Sequence, residues 1–74
     1  MSVPMSDLID AIEAESRGDF AAALPHYEKL TASGSPLDCV GIYQALARCN
    51  EKLGRLKDAG AWRQKAGQGY LALN

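Results

Sequence analysis

The sequence predicts an all-α domain in which four helices pair as two αα-hairpins. Apolar residues recur at three- and four-residue spacing through most of the 74-residue chain. Two of these periodic segments end at a glycine directly before another helical segment. No stretch shows the alternation of apolar and polar residues that a half-buried strand requires. These observations favour one small helical domain with a thin stability margin.

The first hairpin is predicted to begin at Ser6, which can cap a helix. The apolar residues of that helix are Leu8, Ile9, Ala11 and Ile12. Gly18 can end it in a left-handed conformation, and Asp19 can cap the second helix. One face of the second helix is apolar and consists of Phe20, Ala23, Leu24, Tyr27 and Leu30.

The second hairpin follows the breaker run TASGSP, from Thr31 to Pro36. Ser35 can be the N-cap of the third helix, Pro36 suits its first position, and Asp38 faces its positive end. Its apolar stripe is Val40, Tyr43, Leu46, Ala47 and Leu53, and Gly54 ends it. The stripe of the fourth helix is Leu56, Ala59, Trp62, Ala66, Tyr70 and Leu73. Internal glycines weaken the fourth helix, so its last turn is expected to fray.

Composition excludes several classes of protein. With 47% apolar residues, 23% charged residues and a net charge of -1, the chain is globular and has no basic tract for nucleic acid. The start MSVPMSDLIDAIEAE resembles neither a signal peptide nor a membrane span, so a cytoplasmic location is expected. Cys39 and Cys49 lie about 15 Å apart along one helix and cannot form a disulfide. We expect buried free thiols and no metal or cofactor, because His26 has no ligand partners.

An internal repeat relates the two hairpins. Gly18 and Gly54, Ala23 and Ala59, and Lys29 and Lys65 are each 36 residues apart (54 − 18, 59 − 23, 65 − 29). Each pair occupies an equivalent place in its hairpin. We therefore predict a single domain with a first repeat over about residues 5–34 and a second over about 36–72.

This repeat resembles the tetratricopeptide repeat (TPR) family, whose helix–turn–helix unit of about 34 residues has a W-x2-L-G-x2-Y, A-x3-F and P pattern. In the second copy the matching residues are Tyr43, Leu46, Ala47 and Ala59, whereas Asn50 and Arg63 depart from the pattern. In the first copy Ala11, Ala23 and Tyr27 match, Pro36 falls one residue late, and Asp7 and Asp10 depart. The resemblance implies right-handed stacking of the two hairpins, with close helix contacts at Ala11, Ala23, Ala47 and Ala59. An unrelated four-helix bundle is the alternative fold.

Pro25 lies inside the predicted second helix, past its first turn. It removes one backbone hydrogen bond and should bend the helix. Because Leu24 and Tyr27 are predicted to point inward, Pro25 is expected on the exposed side.

Motifs for catalysis or adhesion fail on their context. Arg17-Gly18-Asp19 spells the tripeptide of adhesion proteins, but Gly18 is already predicted to end the first helix and Asp19 to cap the second. The GQGYLA segment from Gly67 follows no predicted strand and cannot be a dinucleotide loop. His26 is expected on an exposed surface, and no Ser–His–Asp or Cys–His group is brought together by helical geometry. We therefore expect a binding protein and not an enzyme.

The resemblance implies that the first helix of each hairpin lines a concave groove. The predicted groove residues are Met5, Leu8, Ile12, Glu15, Ser16, Gly41, Gln44, Arg48, Glu51 and Lys52. Family members that grip acidic tails use lysine and asparagine where this chain has Leu8 and Ile12. An amphipathic helix or extended apolar segment of another protein is therefore the expected partner. Leu8 and Ile12 could instead belong to the core.

Three classes of function remain open at this stage. The first is a small interaction module, such as an adaptor or a secretion chaperone. The second is a self-assembling structural subunit or a non-catalytic subunit of a larger complex. A chain with two repeats has fewer than such folds usually need and could form a homo-oligomer. The third is an enzyme or a subunit of a larger enzyme complex.

Overall fold

The computed structural model describes residues 5–32 and 36–73, with side chains for 6–32 and 39–68. Within those ranges the chain forms four helices and no strand: α1 (Met5–Ser16), α2 (Phe20–Thr31), α3 (Pro36–Lys52) and α4 (Leu56–Leu73). Helix α1 packs against α2 and α3 packs against α4, while α2 joins the two hairpins through contacts with α3. The predicted fold class, all-α with two αα-hairpins, is confirmed.

The two hairpin turns have the same backbone geometry. Gly18 and Gly54 both have a φ of +79°, a conformation in which a Cβ would be strained. After each glycine, the next amide donates to the carbonyl five residues back. The N···O distance is 2.9 Å for Asp19 and 2.8 Å for Arg55. Both turns are therefore Schellman motifs, in which left-handed glycine satisfies the carbonyls at the end of a helix.

The predicted helix starts are partly confirmed. The Asp19 carboxylate accepts a hydrogen bond from the amide of Ala22 at 3.3 Å, as an N-cap should. Pro36 is the first residue of α3. The prediction for Ser6 is wrong because α1 begins at Met5, which places Ser6 inside the first turn. Ser35 lies outside the described residues.

Four alanines allow the helices of each hairpin to approach closely. Ala11 and Ala23 in the first hairpin, and Ala47 and Ala59 in the second, are at most 1% exposed. A buried methyl group leaves room for a neighbouring backbone, whereas a longer side chain would separate the helices. The main core cluster joins α1, α2 and α3 around the fully buried Leu46.

Two leucines depart from the predicted inward stripes. Leu53 is 36% exposed and Leu56 is 69% exposed. Both flank the Gly54 turn, where one helix has ended and the next begins, so none of the described helices covers them. Cys39 and Cys49 are buried free thiols, and burial raises the pKa of Cys49 to about 11. The side chains of Tyr70 and Leu73 lie outside those described.

Helix α2 continues through Pro25, and α4 continues to Leu73 in spite of its glycines. Pro25 is exposed, as predicted. Because proline has no amide hydrogen, Pro25 cannot donate to the carbonyl oxygen of Ala21, four residues earlier. Ala21 is exposed as well. The missing hydrogen bond therefore falls on the outer side of the hairpin.

Candidate functional site

A network of three side chains joins α1, α2 and α3. The Glu15 carboxylate accepts hydrogen bonds from Nε and Nη2 of Arg48, at 2.9 and 3.2 Å. The Tyr27 hydroxyl donates to Oε1 of the same carboxylate at 2.7 Å. Arg48 thus holds Glu15 through two parallel bonds, the strong geometry of an arginine–carboxylate pair.

The network sets the charge of its members. The hydrogen bond from Arg48 holds the pKa of Glu15 below its ordinary value, although partial burial opposes this effect. Burial raises the pKa of Tyr27, and the neighbouring Glu15 carboxylate raises it further. At neutral pH Glu15 is therefore ionised and the Tyr27 phenol is protonated.

A cavity of about 430 Å³ opens beside this network. Its lining residues are Ile12, Glu15, Ser16, Tyr27 and Arg48. Ile12 is 52% exposed, so it presents an apolar surface next to the ion pair. The cavity thus combines an apolar contact with charged hydrogen-bonding groups.

A second cavity, of about 410 Å³, lies between α3 and α4. Its lining residues are Gln44, Ala47, Arg48, Arg63, Ala66 and Gly67. Ala47 and Ala66 are buried, whereas Arg48 and Arg63 are exposed. Arg48 therefore borders both cavities.

The structure divides the predicted groove residues among different environments. Ile12, Glu15 and Arg48 meet at the first cavity, and Gln44 joins Arg48 at the second. Leu8 is partly buried and packs against the core cluster. This favours the core alternative for Leu8 and the groove alternative for the more exposed Ile12.

Two further predicted residues lie near the end of α3. Glu51 forms an ion pair with Arg63 of α4, and Arg63 lowers the pKa of this carboxyl. Lys52 is exposed at the last position of α3. The side chain of Met5 is outside the described set.

The sequence predicts Tyr27 only as a core residue and does not indicate a place for Arg63 in the site. One signal was available for Tyr27: its hydroxyl is the polar atom on an otherwise apolar helix face, and a buried hydroxyl needs a partner. Arg63 could have been noticed because it occupies the position where the second copy departs from an aromatic residue.

The contacts between helices recur at the spacing of the sequence repeat. Glu15 meets Tyr27 in the first hairpin, and Glu51 meets Arg63 in the second, with both partners displaced by 36 residues (51 − 15, 63 − 27). The two hairpins therefore use equivalent positions to join their helices, even where the side chains differ.

A second pair of contacts shows the same displacement. Asp7 Oδ1 lies 3.0 Å from Nδ1 of His26 in the first hairpin. Tyr43 stacks on Trp62 in the second, with ring centroids 5.7 Å apart (43 − 7, 62 − 26).

The expectation that His26 is exposed is wrong, since its partly buried imidazole is held against α1 by Asp7.

Neutralising Glu15 should produce a stability difference that depends on pH. Because Arg48 depresses the pKa of Glu15, the ion pair contributes fully above the ordinary value of 4.5 and its contribution is lost as the pH falls through the lower folded-state pKa. At neutral pH we expect Glu15→Gln to be about 0.2–1 kcal/mol less stable than the wild type, a small effect because Arg48 is more than half exposed. Urea denaturation across the acid range measures this difference. It should shrink towards zero in acid, and a constant difference would contradict the assignment.

Among the described residues, no group of three or more His, Cys, Asp or Glu side chains could hold a metal ion. In the same part of the chain, every helix is too short or too polar to cross a bilayer.

In comparisons with known proteins, no family model, curated protein or solved structure matches the chain. The fold and its contacts therefore define only a class, that of small all-α proteins built from two stacked αα-hairpins.

Proposed function

We propose that this protein is a small TPR-like interaction module that binds a helix or extended segment of another protein. The 36-residue recurrence of turns and inter-helix contacts supports this assignment. The buried alanines, at the positions where the TPR pattern places small residues, support it as well. An adaptor or chaperone-like role follows from this class of protein.

The first cavity carries the proposal. It places the half-exposed Ile12 beside the charged Glu15–Arg48 pair. Since Glu15 occupies the Nε and Nη2 side of the guanidinium, the Nη1 side of Arg48 faces away from it. A partner segment with an apolar anchor and an acceptor about one helical turn away matches this arrangement.

The ionisation of the site favours binding over catalysis. A general acid or base works best with a pKa near the operating pH. Here the pKa of Glu15 is shifted down and that of Tyr27 is shifted up, so both shifts move away from neutrality. We therefore propose a non-catalytic role.

We also propose a cytoplasmic location. Both cysteines are buried free thiols, which suits a reducing compartment.

The proposal is tested by replacing, in separate variants, each of two isoleucines of similar exposure by aspartate. Ile12 and Ile9 lie on α1 with exposures of 52% and 49%, but of the two only Ile12 lines the first cavity. We expect Ile12→Asp to lose the proteins that wild-type protein retains from a native lysate, because a charge replaces the apolar anchor. Quantitative mass spectrometry of the retained proteins measures this loss.

The Ile9→Asp variant is the control and should keep the same retained proteins, further copies of this chain excepted, because Ile9 does not line the first cavity. Circular dichroism of both variants establishes that their helix content equals that of the wild type. Once a partner has been identified, Arg48→Ala should weaken its binding by about 1–3 kcal/mol. Equal retention by wild type and Ile12→Asp would move the binding site away from the first cavity.

A further inference from the structure

The cavity between α3 and α4 has a counterpart between α1 and α2 that α3 already covers. Three residues that line the α3–α4 cavity lie 36 positions after residues of the first hairpin. Ala47 corresponds to Ala11, Arg63 to Tyr27 and Ala66 to Leu30 (47 − 11, 63 − 27, 66 − 30). Ala11, Tyr27 and Leu30 are at most 4% exposed because they share one core cluster with α3. In the described part of the chain, no helix covers the α3–α4 groove in the way that α3 covers the surface formed by α1 and α2.

Helix α1 carries the surface that corresponds to the buried face of α3. The α3 residues in the core cluster are Ala45, Leu46 and Cys49, and the α1 residues 36 positions earlier are Ile9, Asp10 and Glu13 (45 − 9, 46 − 10, 49 − 13). All three α1 residues are exposed. This face of α1 therefore has an isoleucine at its centre and two carboxylates beside it.

The two hairpins have opposite charge. Residues 5–32 contain two basic and six acidic residues, a net charge of −4 (2 − 6), whereas residues 36–73 contain six basic and three acidic residues, a net charge of +3 (6 − 3). At the groove itself, Arg48 and Arg63 stand on the exposed rim, where they also form ion pairs with Glu15 and Glu51 of the same copy. The acidic face of α1 and the basic α3–α4 groove of a second copy are thus complementary.

We propose that copies of this protein associate head to tail, with α1 of one copy in the α3–α4 groove of the next. Between copies, α1 would pack on α3 and α4 of the next copy in the same way as α3 packs on α1 and α2 within one copy. It joins two different surfaces, so each added copy presents the same groove again and the assembly remains open-ended. The inference shares only Arg48 with the partner site at the first cavity and does not depend on the proposed function.

Charge also favours head-to-tail association over a symmetric contact between two α1 helices. Two α1 faces brought together would place Asp10 and Glu13 against the same carboxylates of the other copy, and like charges repel. The α1–groove contact instead brings these carboxylates towards Arg63 and Arg48.

Charge reversal on either face tests the proposal. In sedimentation velocity at low salt, we expect the wild-type average mass to rise with concentration and to fall again when salt screens the contact. The variants Glu13→Arg and Arg63→Glu should each weaken self-association by about tenfold or more, since each places like charges across the contact. The matched control is Glu28→Arg, an exposed site on α2 outside the proposed contact.

Mixing the two variants provides the decisive measurement. In the mixture, helix α1 of the Glu13→Arg variant can enter the groove of the Arg63→Glu variant, where the two reversed charges again attract each other. The other surfaces, α1 of the Arg63→Glu variant and the groove of the Glu13→Arg variant, are those of the wild type. The equimolar mixture should therefore regain the concentration-dependent mass that each variant alone has lost. Because Arg63→Glu also removes the ion pair with Glu51, circular dichroism checks its fold, and Arg48→Glu reverses the other arginine that lines the groove.

Three results would overturn the proposal. One is a wild-type mass that stays monomeric to high micromolar concentration at low salt. Another is stronger association of Glu13→Arg alone, which would indicate contact between two α1 faces. The third is a mixture of folded variants that stays monomeric while the wild type associates.

Discussion

Replacement of Leu46 by alanine is expected to lower the free energy of unfolding by about 2–5 kcal/mol. Leu46 is fully buried in the cluster that joins α1, α2 and α3. The substitution removes apolar contacts and leaves a cavity that packed helices can only partly fill. In a 74-residue domain this loss is a large share of the total stability, so part of the variant should be unfolded at room temperature.

Urea denaturation followed by circular dichroism measures this effect. The matched control is Leu56→Ala, because Leu56 is 69% exposed at the start of α4. The same atoms are removed there with little loss of buried surface, so the stability should change by about 0.5 kcal/mol or less. Similar losses in the two variants would show that Leu46 is not in a packed core.

The second large effect is expected when Ala47 becomes leucine. Ala47 is 1% exposed and lies on the side of α3 that faces α4, where it lines the α3–α4 groove. The added carbon atoms would force the helices of the second hairpin apart or into strained rotamers, at a cost of about 1–3 kcal/mol. The denaturation midpoint in urea reports this cost.

Ala61→Leu is the control for the added volume. Ala61 lies on α4 and is exposed, so a leucine there meets solvent and should change the stability by about 0.5 kcal/mol or less. If Ala47→Leu were as stable as the wild type, the close approach of α3 and α4 at this alanine would be contradicted.

Local signals allowed the helices and turns to be predicted. A glycine at a helix end is favoured where φ is positive, so Gly18 and Gly54 mark both turns in the sequence and in the structure. The sequence predicts Asp19 as a cap because its carboxylate needs to reach an amide only three residues ahead. It does not predict the start of α1 correctly, since serine also occurs within the first turn of a helix and α1 begins one residue before Ser6.

Contacts between distant helices could be predicted only where they depend on side-chain size. The four alanines follow the 36-residue pattern, and all four are buried. By contrast, the pairing of Glu15 with Arg48 spans 33 residues and depends on how α1 and α3 are rotated towards each other. Periodicity identifies the apolar side of a helix but not the residue that a charged side chain will meet.

The helical class, the two glycine turns, the internal repeat and the exposed position of Pro25 can all be predicted from the amino-acid sequence, because each depends on local backbone chemistry or on spacing along one helix. Helix packing sets which apolar residues of α1 remain exposed, with Ile12 at the cavity and Leu8 against the core. It also decides that Arg48 is held by Glu15 and that His26 meets Asp7. These outcomes depend on the rotation and separation of packed helices, which are set by the sum of many contacts across the core.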